Sequence, residues 1–221
     1  MAFALIRPES RLYLGTPQES DARTSDSQRA AVALRADYER WSRWLLGLLA
    51  FLLAAGGTFV AVGLTETVRM LGGVPHAVDL IAIAISAAIG VAGIAVLIAL
   101  WSSGRQLLNA ASSWIRLPSV RSGARRGVGG WVQARAVNLE PRVLARLISG
   151  TLALLLAIGG AALVVRDLTG QFTSMTLASA VVSLVALIAG VGQIGGVMRL
   201  VSALAEADPL WVRIRSAFGR N

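Results

Sequence analysis

Four uncharged, continuously apolar stretches, at residues 44–64, 80–101, 147–165 and 175–197, constrain this chain more than any other feature. Each is long enough to cross a bilayer core as a helix, which takes about 20 residues. Each is also fenced by charge: Arg43 and Glu66, Asp79 and Arg105, Arg146 and Arg166, Asp167 and Arg199. Barrel strands alternate and are about half as long, so these runs predict helices. With 55% hydrophobic and only 15% charged residues, the chain has too little polar surface to fold as a soluble domain, and lipid is the expected solvent.

Arginine placement predicts the orientation. Seven arginines lie in the arm ending at Arg43, eight between residues 102 and 146, and four from Arg199 onward, whereas the two short connections hold one each, Arg69 and Arg166. That asymmetry puts both termini and the middle segment in the cytoplasm. The formal charge of +9 is then mainly a topology signal, and no nucleic-acid-binding motif accompanies it. All the basic residues are arginine and none is lysine, which reads as the codon bias of a GC-rich bacterial genome. The expected location is the inner (plasma) membrane. No cleavable signal is recognised, because the first apolar run is short and Pro8 follows it. The first span is expected to direct its own insertion.

Residues 1–24 contain Pro8, Pro17 and a polar run, and are read as an extended cytoplasmic arm. Ser25 and Gln28 fit a capping box. Beyond it Ala31, Leu34, Tyr38, Trp41 and Leu45 recur at spacings of three and four, one apolar stripe without a helix breaker. The expectation is one helix from about residue 26 to 64, amphipathic in its first half. Its residues Ala31, Leu34, Tyr38 and Trp41 form a candidate partner-facing stripe.

Residues 102–146 start as a helical continuation and turn irregular at Pro118 and the glycines that follow, with Pro141 marking the next helix start. Arg116, Arg121, Arg125, Arg126 and Arg135 make this segment strongly basic. They are candidate contacts for anionic lipid headgroups, at about 1 kcal/mol per arginine near the surface.

The two halves of the chain look alike. A shift of 103 lays Arg43 on Arg146, Gly47 on Gly150 and Gly57 on Gly160, with a shared L-A-x-L-L-A-x-G-G run. A shift of 97 lays Gly93 on Gly190 and, further on, Trp114 and Arg116 on Trp211 and Arg213. The expected fold is therefore all-α and polytopic, built from two tandem, parallel, duplicated helical hairpins at residues 25–101 and 147–198, with a tail at 199–221. Small residues at Ala50, Ala54, Gly57 and Ala61, repeated at Ala153, Ala157 and Gly160 and joined by Gly192 and Gly196, predict close helix packing in lipid. The second span has its own small-residue series, Ala84, Ala88 and Ala92.

Sites for chemistry are scarce. There is no cysteine, and the one histidine, His76, sits in a connection near Glu66 and Asp79, a weak metal set by spacing and ligand number. No ionisable residue lies within a span, which argues against proton relays and charged substrate sites. No catalytic, metal or cofactor site is expected. The functional expectation is a non-catalytic accessory, assembly or scaffold subunit of a larger membrane protein complex, and the partners expected are the lipid bilayer and either another membrane protein or further copies of this chain. Its main rival is an oligomeric channel or transport component with an uncharged pore lined by Thr58, Ser86, Ser183 and Gln193. A membrane enzyme using Asp37, Glu39 and Glu140 is a third alternative.

Overall fold

The computed structural model describes residues 5–15, 24–72, 76–122, 141–170 and 172–206, with side chains at 5–15, 29–72, 76–114, 141–170 and 172–199. Among the described residues the regular elements are all α-helices, without a strand: α1 (Pro8–Arg11), α2 (Thr24–Tyr38), α3 (Trp41–Met70), α4 (Ala77–Ser122), α5 (Pro141–Leu168) and α6 (Ser174–Glu206). Helices within Arg29–Met70, Ala77–Trp114, Pro141–Leu168 and Ser174–Arg199 are long and apolar enough to cross a membrane. Their outward side chains are largely apolar, as at Leu52, Val91, Ile158 and Leu184, all more than half exposed. Such a surface suits hydrocarbon, where every backbone group is satisfied inside the helix.

Local chemistry sets the helix ends. α3 stops at Met70 because Gly72 takes φ +62°, a left-handed conformation that glycine adopts without a Cβ clash, and its amide bonds to the Arg69 carbonyl at 3.2 Å. α4 opens with Asp79 accepting the His76 amide at 3.1 Å, the returning half of a capping box. Pro141 begins α5, where its missing N–H costs nothing. α4 has 46 residues, or about 69 Å at 1.5 Å per residue, more than twice a bilayer core of about 30 Å. It runs on through Pro118 to Ser122, beyond the helical continuation expected from the sequence.

The single helix expected from about residue 26 to 64 is instead two, interrupted at Glu39 and Arg40. No glycine or proline breaks it. In an unbroken helix the Tyr38 carbonyl would accept the amide four residues on, but here it accepts the Arg146 guanidinium at 2.6 Å. Tertiary hydrogen bonding thus takes over a position that local propensity would leave helical.

The chain divides into two compact units. One comprises Met1–Arg43, Trp101–Leu147 and Ile194–Asn221. Its core gathers Ile6, Leu34, Tyr38, Leu107, Leu108, Ala110 and Ala111, with Tyr13, Leu14 and Trp114 against it. The arm is therefore not simply extended. It forms α1, buries Ile6 completely, and is clasped by the Trp114 Nε1–H donating to the Tyr13 carbonyl at 2.9 Å. Val143, Leu147 and Val197 make a smaller cluster in the same unit.

The other unit comprises Trp44–Leu100 and Ile148–Gln193. Its helices approach through small residues. A Cβ on Gly57 would lie 2.5 Å from the Gly90 nitrogen and 2.7 Å from the Ser86 carbonyl oxygen, and one on Gly93 would lie 2.6 Å from the Ala50 oxygen. The contacts descend α4 as they climb α3. α5 and α6 meet at Gly160 with Ser183 and at Gly190 with Gly150 and Leu154. Polar bonds join α3 to α5 and α5 again to α6: the Trp44 indole donates to Ser149 Oγ at 3.1 Å, and Ser149 donates to Gln193 Oε1 at 2.5 Å.

Candidate functional site

The densest polar cluster surrounds Tyr38, the last residue of α2. Arg146, in the second turn of α5, stacks its guanidinium 4.4 Å above the Tyr38 ring and donates to the Tyr38 carbonyl at 2.6 Å. Arg43, at the start of α3, donates through Nη2 to Ser103 Oγ of α4. Both guanidinium side chains are buried, at 7% and 8% exposure. Gly104 and Gly196 make room. A Cβ on Gly104 would touch Arg43 and Tyr38, and one on Gly196 would run into the Tyr38 hydroxyl.

Asp37 balances part of this charge. Asp37 is 1% exposed, accepts the Arg7 amide at 2.9 Å and lies 3.6 Å from Arg40. Glu39 accepts from Arg35 at 2.6 Å. Burial works most strongly against the charge on Arg43, Asp37 stabilises it, and Arg146 opposes it. Buried charges are tolerated only with partners in good geometry, and removing one partner leaves the other stranded. The cluster therefore acts as a clamp, joining the arm, α2, α3, α4 and α5 within one unit. Of the carboxylates considered for an enzyme, Asp37 is engaged in it, Glu39 pairs with Arg35, and Glu140 lies outside the described residues.

The stripe expected to face a partner requires correction. Leu34 and Tyr38 are covered by the chain's own Ile6, Leu107 and Leu108, because the docked arm and α4 pack over that side of α2. Ala31 is half-buried, and Trp41 keeps 42% exposure.

The small-residue faces are filled within the chain. Ala50, Ala54, Gly57, Ala61 and Ala157 are buried, Ala153, Gly160 and Gly192 are half-buried, and Gly196 is buried against Tyr38. In contrast Ala84, Ala88 and Ala92 of α4 are exposed. The pore candidates find local partners: Thr58 donates to the Ala54 carbonyl, Ser183 to the Ser179 carbonyl, and Gln193 accepts from Ser149. Ser86 is half-buried, with its carbonyl against Gly57.

Among the candidate lipid contacts, Arg125, Arg126 and Arg135 lie outside the described residues, as do the side chains of Arg116 and Arg121 on α4. Among the described residues, no three of His, Cys, Asp or Glu gather as a metal site. Asp79 caps α4, and Glu66 accepts from Ser174 at 2.6 Å.

The clamp leaves no local signal in the sequence. Arg43 and Arg146 stood out as charge fences and as equivalent positions of the repeat, but nothing local indicated that both would be buried around Tyr38. Comparison with protein-family models, with curated proteins and with solved structures found no match for this chain.

Proposed function

We propose that this protein is a non-catalytic accessory or scaffold subunit of a larger membrane complex, with both termini in the cytoplasm and its spans built from two duplicated hairpins. The observation behind the functional reading is the contrast between small-residue faces. Those of α3 and α5 are used up by packing inside the chain, whereas Ala84, Ala88 and Ala92 leave a close-packing face of α4 open. Without a hydrophobic drive between helices in lipid, small residues that permit close backbone approach are what a partner helix uses.

Two features support the duplication. Shifts of 103 and 97 carry the Gly57–Ser86 approach onto the Gly160–Ser183 approach. The same first shift carries buried Arg43 onto buried Arg146. The arginine asymmetry supports the orientation.

The chain has no cysteine, so Ala88→Cys introduces one reactive site. Cross-linking that variant in native membranes, followed by mild-detergent purification and mass determination, tests the reading. A stoichiometric adduct with a different membrane protein is expected. A lone homo-oligomer bonded through position 88 would replace the accessory role with self-assembly.

A further inference from the structure

In the unit that contains the clamp, a cleft of about 460 Å³ opens between α2 and the beginnings of α3 and α5. Its lining includes Val32, Arg35, Glu39, Trp41, Pro141 and Arg142. We propose that this cleft binds the headgroup of an anionic phospholipid, with the glycerol-ester shoulder of the lipid against Trp41 and Val32. The inference rests on the membrane reading given above.

The polar side of the cleft favours an anion. Arg142 is exposed in the first turn of α5, a helix of 28 residues, where the helix dipole presents its positive end. Glu39 would oppose an anion, but its carboxylate is 6% exposed and already accepts from Arg35 at 2.6 Å. That pair is close to neutral, so among the lining residues Arg142 carries the remaining charge, which is positive.

The other side favours an amphiphile over a small soluble anion. Val32 is 68% exposed and Trp41 42% exposed, apolar surface beside the polar lining. Inorganic phosphate has nothing to place there, whereas a phospholipid covers it with its ester region. Trp41 also stands three residues ahead of the first span in sequence, the level at which tryptophan partitions to the membrane interface.

The test uses the full chain in nanodiscs of phosphatidylcholine and phosphatidylglycerol, with retained lipid identified by native mass spectrometry. One saturable phosphatidylglycerol per chain is expected. Arg142→Gln should weaken its retention about fivefold, the equivalent of about 1 kcal/mol for one arginine at a headgroup. Trp41→Ala should weaken it as well. Arg69→Gln, which alters an arginine that does not line the cleft, should leave the saturable lipid in place. Soluble glycerophosphoglycerol should compete poorly. Unchanged retention in Arg142→Gln with an unchanged melting temperature would overturn the site. Equal competition by the soluble headgroup would overturn the amphiphile assignment. Protein that inserts but shows no phosphatidylglycerol preference removes this inference alone, whereas protein that fails to insert removes the membrane reading with it.

Discussion

Arg146 meets Tyr38 twice, with its guanidinium 4.4 Å above the ring and one Nη donating to the backbone carbonyl at 2.6 Å. The side chain thereby closes the end of α2 and holds the interruption before α3. A charged hydrogen bond contributes about 1.5–3 kcal/mol, and a desolvated cation–π contact about 2 kcal/mol. Arg146→Ala should therefore destabilise the protein by roughly 3 kcal/mol, seen as a lower unfolding temperature in detergent. Arg146→Lys keeps the charge but loses the planar stack, and should recover only part of the loss.

Adjacent glycines in α3 should respond in opposite ways. A Cβ on Gly57 would lie 2.5 Å from backbone of α4, whereas one on Gly56 meets nothing within 4 Å. Gly57→Leu should force α3 and α4 apart at a cost of about 1–3 kcal/mol, the usual range for overpacking. Gly56→Leu should leave thermal stability close to that of the parent. Equal effects in a side-by-side melt would show that the α3–α4 approach is not the close contact described.

The bonds from Trp44 through Ser149 to Gln193 predict energetic coupling. In a double-mutant cycle, Ser149→Ala and Gln193→Ala should be non-additive by about 0.6 kcal/mol, the average found for hydrogen bonds between membrane helices, and by no more than about 1.7 kcal/mol. Strict additivity in reversible unfolding would mean that the two side chains act independently.

Docking of the arm should be measurable at Ile6, which is 1% exposed. Ile6→Ala removes a fully buried side chain from the cluster with Leu34 and Leu107, a change that costs about 2–5 kcal/mol in a well-packed core. Faster proteolysis of the first residues in the variant than in the parent is the expected readout, and identical digestion rates would argue against a docked arm.

Orientation can be read by labelling, since any introduced cysteine is the only one present. Leu71→Cys, in the connection after α3 where the native side chain is 78% exposed, should react with a membrane-impermeant maleimide added to intact cells. Asn109→Cys on α4 should react only after permeabilisation. The reverse pattern would invert the proposed topology.

The local character of the spans was legible in the sequence because it depends on local chemistry. Uncharged runs bounded by arginine and acid must form helices in lipid, and Pro141 and the Gly72 turn mark ends through backbone geometry alone. The site was much less legible. Leu34 and Tyr38 have the same periodicity whether they face a partner or the chain's own arm, and only packing against Ile6 and Leu107 distinguishes the two.

By itself, then, the sequence determined that four helices can cross a membrane, because hydrophobicity and length are properties of each segment alone. Tertiary structure decided the break at Glu39 and Arg40, the docking of the arm and the burial of Arg43 and Arg146. Each of these depends on a partner distant in sequence: Arg146 stands 108 residues from the carbonyl it satisfies. No local pattern encodes such a pairing, since a buried guanidinium is stable only where the fold brings an acceptor to it.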